Sequence, residues 1–235
     1  MPATARGPIL VVAAWEPELA GLGTLRASSP AKLIRGTVGV GLIEAAAGAA
    51  RLIAQTKPRA VFLVGTGGVY PGARIAPPIG SAVIAQSLCL ASASVATEAA
   101  YLPAPLPAAC DATPRLVRAA AAATRLPRAI VACPLGISGT GALARRLQAA
   151  TGADVENLEA FAVARAAAAA GVAFAGVLGI SNVVGPQSHA QWRAHAEASA
   201  YAACVAVRAT LTRLGFIAPD AAPSGRPARG LARRQ

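Results

Sequence analysis

Short, wholly apolar runs alternate along the chain with longer alanine-rich segments. The strongest runs cover residues 9–14, 60–64 and 172–180, and each has the length of a strand buried on both faces. Because strands that alternate with helices build mostly parallel sheets, the pattern predicts an α/β fold. We expect a single three-layer domain in which helices flank a central, mixed but mostly parallel sheet.

Weaker patterns complete the predicted order of elements. Strands are expected at residues 36–41, 81–90 and 129–135, and helices at 43–55, 115–124, 141–150, 157–170 and 189–214. Residues 89–114 are rich in Ala, Pro and Ser without periodicity, so they predict a long loop near the site. We expect a catalytic domain over residues 1–216 and a disordered basic tail over 217–235.

Composition narrows the possible partners. Hydrophobic residues make up 55% of the 235 residues and charged residues 14%, which excludes disorder for most of the chain. The net charge is +12, and the basic residues are scattered along the chain except for a cluster of arginines in the tail. No aromatic residues are interleaved with these basic residues. We therefore expect no nucleic-acid partner. Two uncharged stretches, 75–97 and 166–188, are broken by Pro, Gly, Asn or Ser and predict buried strands, not membrane spans.

The four cysteines and the first residues of the chain indicate the cellular compartment of the protein. Cys89, Cys110, Cys133 and Cys204 lie far apart and show no metal-binding spacing. Buried, reduced thiols are the expectation, and with them a cytoplasmic location. The apolar run that follows Arg6 is too short for a signal peptide.

Polar residues follow three of the predicted strands, where α/β sheets gather their ligand sites. Glu16 and Glu18 follow the first strand, the predicted turn Gly65–Gly68 follows another, and Ser181 and Asn182 follow the last. Glu18 could be a helix-start acid or a group that takes a proton from water. Asn182 could form an Asx turn, or its amide could both donate and accept at the edge of a 6-oxopurine.

Three acids lie close together at residues 154–159. Asp154 and Glu156 fit either helix-start acids or functional groups. Glu159 precedes an apolar stretch, and a carboxylate that enters a buried helix needs partners or a ligand, for which a ribose diol would serve. His189 and His195 stand six positions apart, which does not suit two ligands on one helix face, so both are interpreted as surface or loop-packing residues.

Five segments together resemble the nucleoside phosphorylase superfamily, in its branch that hydrolyses nucleosides without phosphate. They are residues 9–19 (ILVVAAWEPEL), 37–45 (TVGVGLIEA), 58–68 (PRAVFLVGTGG), 155–164 (VENLEAFAVA) and 177–192 (VLGISNVVGPQSHAQW). The last two resemble most the futalosine hydrolases of that branch. The resemblance covers residues 9–214 and implies cleavage of the N-glycosidic bond of a purine nucleoside.

The resemblance also implies roles for individual residues. Glu18 would activate the attacking water, Asn182 would bind or protonate the leaving purine, and Glu159 would hold the ribose hydroxyls. The remaining residues implied in substrate binding are Leu158 under the sugar, Ser181, and Gly65, Thr66 and Gly67 in the loop beside the nucleophile. The resemblance implies neither a metal nor a cofactor. It also implies that the protein is a homodimer or a higher homo-oligomer.

One position departs from the family pattern, since Leu178 stands where the family often places an arginine that orients the water. A nucleoside-binding protein without catalysis therefore stays an alternative, beside a methylthioadenosine/S-adenosylhomocysteine-type nucleosidase and a purine nucleoside phosphorylase. The absence of Lys and Arg from residues 9–23 and 60–73 favours hydrolysis, because a phosphorylase needs cations for its phosphate.

Overall fold

A computed structural model describes residues 7–24 and 32–218 of the chain. The strands are β1 (Ile9–Ala13), β2 (Leu33–Thr37), β3 (Ala60–Val69), β4 (Ala82–Leu90), β5 (Ala109–Asp111), β6 (Arg128–Cys133), β7 (Val155–Glu156) and β8 (Ala173–Val183). A 3-10 helix, Glu16–Leu22, follows β1. The helices are α1 (Leu42–Thr56), α2 (Ala93–Ala96), α3 (Pro114–Thr124), α4 (Gly141–Thr151), α5 (Ala160–Ala169) and α6 (Ser188–Arg213).

The strands form one curled sheet around β3 and β8, which run parallel from Ala60 to Val69 with a register shift after Gly67. β1 lies between β2 and β3, parallel to both. β8 pairs antiparallel with β4, β4 parallel with β6, β6 parallel with β7, and β7 antiparallel with β3, which closes a ring of strands. The predicted α/β fold with a mixed, mostly parallel sheet is thus confirmed.

Side chains from both faces of the sheet enter separate hydrophobic cores. Along β1, Leu10 and Val12 belong to the core that includes residues of α1 and α5, whereas Ile9 and Val11 belong to the core that includes residues of α6. Burial on both sides explains why this strand is continuously apolar rather than alternating. The same alternation continues along β3.

The Gly65–Gly68 segment was predicted as a turn, and that prediction is wrong. It forms the second half of β3, held by β8 on one side and partly by β7 on the other. Close packing explains the glycines: a Cβ at Gly67 would come within 2.7 Å of Val155 Cγ1, and one at Gly68 within 2.5 Å of Asn182 Nδ2. Glycine here permits close approach of neighbouring strands instead of a reversal of the chain.

Several boundaries also differ from the prediction. The strand expected at residues 36–41 is β2, which ends at Thr37, and the helix expected from residue 157 begins at Ala160. Residues 89–114 contain α2 and β5 in place of a plain loop, and none of them lines the cavity at the ends of β1, β3 and β8. Their pairing with β4 holds this segment at the far edge of the sheet.

The chain does not leave the core at residue 217. Phe216 and Ile217 are buried in the core beside α6, and the Arg59 guanidinium lies 4.4 Å above the Phe216 ring. The predicted tail, 217–235, therefore wrongly includes Ile217. The part of that tail from residue 219 onward lies outside the described residues. None of the helices in the described part is both long and apolar enough to span a membrane.

Candidate active site

A cavity of about 390 Å³ opens where β1, β3 and β8 end. Parallel strands bring their carboxyl ends to one edge of a sheet, so the predicted convergence of the three strand ends occurs. Of the residues predicted for the site, the lining includes Glu18, Thr66, Gly67, Leu158, Glu159, Ser181 and Asn182. Gly65 does not line the cavity, and Glu16 is exposed outside it.

Glu18 is carried into the cavity by the 3-10 helix that begins at Glu16 and has proline in its first turn. One carboxylate oxygen accepts a hydrogen bond from the Ala14 N–H at 3.2 Å, and the other accepts one from the Thr66 hydroxyl at 3.4 Å. Burial, and then the charge of Glu159, raise the pKa of Glu18 to about 7. At neutral pH Glu18 is therefore divided between its charged and neutral forms.

Glu159 sits immediately before α5 and is held from two sides. Its Oε1 accepts from the Gly41 N–H at 2.8 Å, and its Oε2 accepts from the Asn157 side-chain amide at 3.0 Å. Gly41 has a φ of 86°, a conformation that glycine adopts without strain and that lets its N–H reach the carboxylate. Burial also raises the pKa of Glu159, although both hydrogen bonds oppose the shift.

Asn157 organises this corner of the site and was missed as a site residue. Its Oδ1 accepts from the N–H groups of Glu159 and Ala160 at 2.9 and 2.7 Å, which caps the start of α5. Its Nδ2 donates to Glu159 and to the Thr66 carbonyl, at 3.0 and 2.9 Å. An asparagine two or three residues before an apolar helix is a capping signal, and that signal could have identified it.

Glu156 and Asp154 are not helix-start acids. Glu156 lies in β7 and accepts from the Tyr70 hydroxyl at 2.9 Å and from the N–H and hydroxyl of Ser138 at 2.9 and 2.6 Å. It thereby fixes the segment that carries Ile137, another lining residue. Asp154 is fully buried, pairs with Arg74 at 2.6 Å and accepts from the Ile130 N–H.

Within the described residues, the lining of the cavity contains three glutamates and neither lysine nor arginine. Arg74, which follows the glycines of β3 in sequence, is engaged by Asp154, which does not line the cavity. The cavity therefore carries negative potential, which favours a ligand or transition state that develops positive charge. Among the described residues, no three His, Cys, Asp or Glu side chains are grouped as a metal site would need.

Asn182 lies near the end of β8, opposite Gly68 of β3. Its Oδ1 accepts from the hydroxyl of the fully buried Ser181 at 2.8 Å. Its Nδ2 donates to none of the described residues, so the amide N–H groups are available to a ligand in the cavity. Both residues were predicted to follow the strand, and they are instead part of it.

An aromatic cluster forms another wall of the cavity. The centroid of the Trp192 ring lies 6.4 Å from that of Trp15 and 6.0 Å from that of His189. The planes of the Trp192 and His189 rings are inclined by 20°, so these two rings are stacked. The interpretation of His189 as a surface residue is incomplete, because this exposed ring also lines the cavity. His195 is exposed, as predicted. Trp15 was not recognised as a site residue, and Trp192 only as part of a motif.

Leu178 is fully buried in the core beneath the glycines of β3. Its two methyl groups lie 3.6 and 3.7 Å from where side chains at Gly65 and Gly67 would begin. Leu178 therefore lies directly under the site and contributes no charge to offset Glu18 and Glu159.

With this geometry established, comparison with known proteins decides the family. The sequence model described as "Phosphorylase superfamily" matches residues 22–214. The chain belongs to this superfamily. The resemblance inferred from the motifs is thereby confirmed.

Similarity to individual proteins is consistent with membership of this superfamily. The chain is 34% identical over 171 residues to the futalosine hydrolase of Streptomyces coelicolor, an alignment that covers 65% of this chain and 71% of the relative. The structure is similar to futalosine hydrolase of Helicobacter pylori, with a TM-score of 0.78 at 13% identity, covering 88% of this chain and 97% of that one. It is also similar to a methylthioadenosine/S-adenosylhomocysteine nucleosidase from Colwellia psychrerythraea in complex with adenine, with a TM-score of 0.76 at 17% identity and coverage of 90% and 98%.

Proposed function

We propose that this protein hydrolyses the N-glycosidic bond of a purine nucleoside, and that its substrate is futalosine, which it converts to hypoxanthine and dehypoxanthine futalosine. The observation that carries the proposal is the pair of buried carboxylates, Glu18 and Glu159, in a cavity without a lining lysine or arginine among the described residues. The 34% identity to a futalosine hydrolase supports the choice of substrate.

Glu18 is proposed as the base that activates water. A general base works best when its pKa lies near the working pH, and burial raises that of Glu18 to about 7. In the reaction, Glu18 takes a proton from water, and the water oxygen bonds to C1′ of the sugar. The C–N bond breaks, its electron pair leaves with the purine, and the purine takes up a proton from solvent.

Glu159 is proposed to bind the ribose hydroxyls. Gly41 and Asn157 each donate one hydrogen bond to a different oxygen of this carboxylate. Each oxygen keeps a lone pair that can accept from a sugar hydroxyl. As the bond to the base breaks, positive charge develops on the sugar, and the two carboxylates stabilise it.

Asn182 is proposed to select the base. Its free Nδ2 can donate to the oxygen or the N7 of a 6-oxopurine, and the hydroxyl of Ser181 holds its Oδ1. Phosphorolysis is disfavoured because the described residues of the lining offer no guanidinium or ammonium group for a dianion, and Arg74 is already paired with Asp154.

Replacing Asn182 by aspartate should shift the preference from 6-oxopurine towards adenine nucleosides. A carboxylate accepts from an exocyclic amine or a protonated N7, whereas it repels a 6-oxo group. We expect the ratio of kcat/KM for futalosine over methylthioadenosine to fall about tenfold or more in Asn182→Asp. Because each variant serves as its own control in a ratio, partial misfolding does not affect the result. A wild type that cleaves methylthioadenosine faster than futalosine would instead support the methylthioadenosine-type nucleosidase.

We also propose that the protein is a homodimer or higher homo-oligomer. Val40 and Ile137 line the mouth of the cavity and are 60% and 56% exposed, and Ile43 and Leu135, close to them in sequence, are even more exposed. Exposed apolar side chains beside a site favour burial against another protein surface, and a second copy is the proposed partner.

A cytoplasmic location stays a prediction, in keeping with four unpaired cysteines.

A further inference from the structure

The hydroxyl of Thr66 lies between Trp192 and Glu18. The indole Nε1–H of Trp192 donates to Thr66 Oγ1 at 3.2 Å, and Thr66 Oγ1 donates to Glu18 Oε1 at 3.4 Å. These three residues come from α6, β3 and the 3-10 helix, so the contact joins distant parts of the chain. Hydrogen bonds of this length in a site without substrate commonly shorten when the substrate closes the cavity.

The chemistry of the donors fixes the direction of this relay. An indole N–H can only donate, so Thr66 has to accept from Trp192. That hydrogen bond occupies one of the two lone pairs of Thr66 Oγ1, and the single proton of the hydroxyl is donated to Glu18 Oε1. Without the indole N–H, one of the two contacts that restrict rotation of this hydroxyl is lost, and its proton is directed at Glu18 for less of the time.

Both members of the relay are held by rigid elements. Thr66 lies inside β3, paired with Gly179 of β8. The Trp192 ring is in the first turns of a helix of 26 residues and packs against Trp15 and His189. The indole therefore fixes the hydroxyl at little further entropic cost.

We propose that Trp192 is a positioning residue for Glu18: its indole N–H orients the Thr66 hydroxyl so that this hydroxyl donates to the ionised carboxylate and holds it in one orientation. The proposed benefit to catalysis rests on the function proposed above, in which Glu18 activates water. The relay itself does not depend on which substrate the protein takes.

Other charged and titratable groups face Glu18 and set the background for the relay. Glu159, across the cavity, opposes ionisation of Glu18, and the hydrogen bonds from Ala14 and Thr66 favour it. On α6, the thiol of Cys204 donates to the Glu18 carbonyl at 3.1 Å, and burial raises its pKa to about 11, so it stays neutral. The remaining groups are Glu16 on the same segment, Arg35 and Arg208 bound to carbonyls at its end, and His189 behind Trp192.

Replacing Trp192 by phenylalanine removes the N–H and keeps an aromatic ring against Trp15 and His189. Without the relay the pKa of Glu18 should rise above its value of about 7, because the hydrogen bond from the Thr66 hydroxyl is one of those that lower it. We expect kcat of Trp192→Phe to fall about three- to tenfold at pH 6.5 and to recover most of this loss at pH 8.5, with KM little changed. Thr66→Val should reproduce the profile, and Thr66→Ser, which keeps the hydroxyl, should restore that of the wild type.

A spectroscopic titration without substrate separates this proposal from the proposed function. The sequence holds two tryptophans, Trp15 and Trp192, so the indole region of a ¹H–¹⁵N spectrum has two signals that Trp15→Phe and Trp192→Phe assign. We expect the Trp192 Nε1–H signal to titrate with a midpoint near pH 7 in the ligand-free protein. The titration should disappear in Glu18→Gln and Thr66→Val and persist in Thr66→Ser.

The His189 ring stacks on Trp192, so the spectra are repeated in His189→Gln as a control for this contact. A titration that disappears in His189→Gln, or that persists in Thr66→Val, would overturn the relay. So would a Trp192→Phe enzyme whose kcat falls by the same factor at all pH values. If no nucleoside is cleaved but the indole signal follows Glu18, the relay stands and the proposed function fails.

Discussion

Replacing Glu18 by glutamine should lower turnover by a factor of about 10² or more while leaving substrate binding nearly intact. Glutamine keeps the shape of the side chain and can occupy the same place beside Ala14 and Thr66, but it cannot take a proton from water. The measurement is kcat and KM for futalosine at pH 7.5. Unchanged turnover would reduce Glu18 to an acid at the start of a helix.

The same change should stabilise the folded protein above neutral pH. Because the pKa of Glu18 is about 7 in the folded protein against an ordinary 4.5, the folded state keeps a proton that the unfolded state has lost between these pH values. The free energy of unfolding of the wild type therefore falls as pH rises from about 4.5 to 7, by about 3 kcal/mol in total. Glu18→Gln should remove this loss.

Urea unfolding at pH 4 and pH 8 measures the effect. The variant should match the wild type at pH 4 and exceed it by about 2 to 3 kcal/mol at pH 8. Glu16→Gln is the matched control, because Glu16 is exposed in the same turn and should change neither stability nor turnover. Equal stabilities of wild type and Glu18→Gln at both pH values would show that Glu18 is not buried against a charge.

Replacing Glu159 by glutamine should lower kcat/KM by about 10³ for a ribonucleoside. The change removes one charge that stabilises the developing cation and weakens two hydrogen bonds to the sugar, and hydrogen bonds to charged groups are worth about 1.5 to 3 kcal/mol each. If Glu159 holds the ribose diol, the wild type should strongly prefer a ribonucleoside over its 2′-deoxy analogue, and the variant should prefer it much less.

Glu156→Gln provides the matched control for Glu159→Gln. Glu156 also lines the cavity, but Tyr70 and Ser138 already occupy its oxygens, so its loss should affect stability more than sugar preference. A Glu159→Gln enzyme that keeps the preference of the wild type for the 2′-hydroxyl would contradict the assigned role.

Local pattern was enough to predict the main strands of this fold. β1 and the first half of β3 lie between two cores, so each of their side chains is apolar, and that pattern is visible without a structure. The second half of β3 was not predictable in this way. Glycine at residues 65, 67 and 68 is a turn signal by itself, whereas in the strand Val155 and Asn182 approach Gly67 and Gly68 so closely that a Cβ would not fit.

Several of the site residues could be identified from the sequence, but most of their contacts could not. Glu18, Glu159 and Asn182 could be singled out because polar groups at strand ends, or before an apolar helix, are unusual in sequence. The contacts that give them their properties could not, since Gly41 and Glu159 lie 118 residues apart and Thr66 and Trp192 lie 126 apart. For Asp154 and Glu156 the sequence left two interpretations open, because their partners Arg74, Tyr70 and Ser138 are brought to them only by the fold.

Hydrolysis of futalosine by the purified full chain, with and without millimolar phosphate, tests the central claim most directly. The purine and sugar products are identified by chromatography and mass spectrometry. The proposed function predicts release of hypoxanthine and dehypoxanthine futalosine at a rate that phosphate does not change. A rate that depends on phosphate, with a sugar 1-phosphate as product, or binding of futalosine without cleavage, would contradict it.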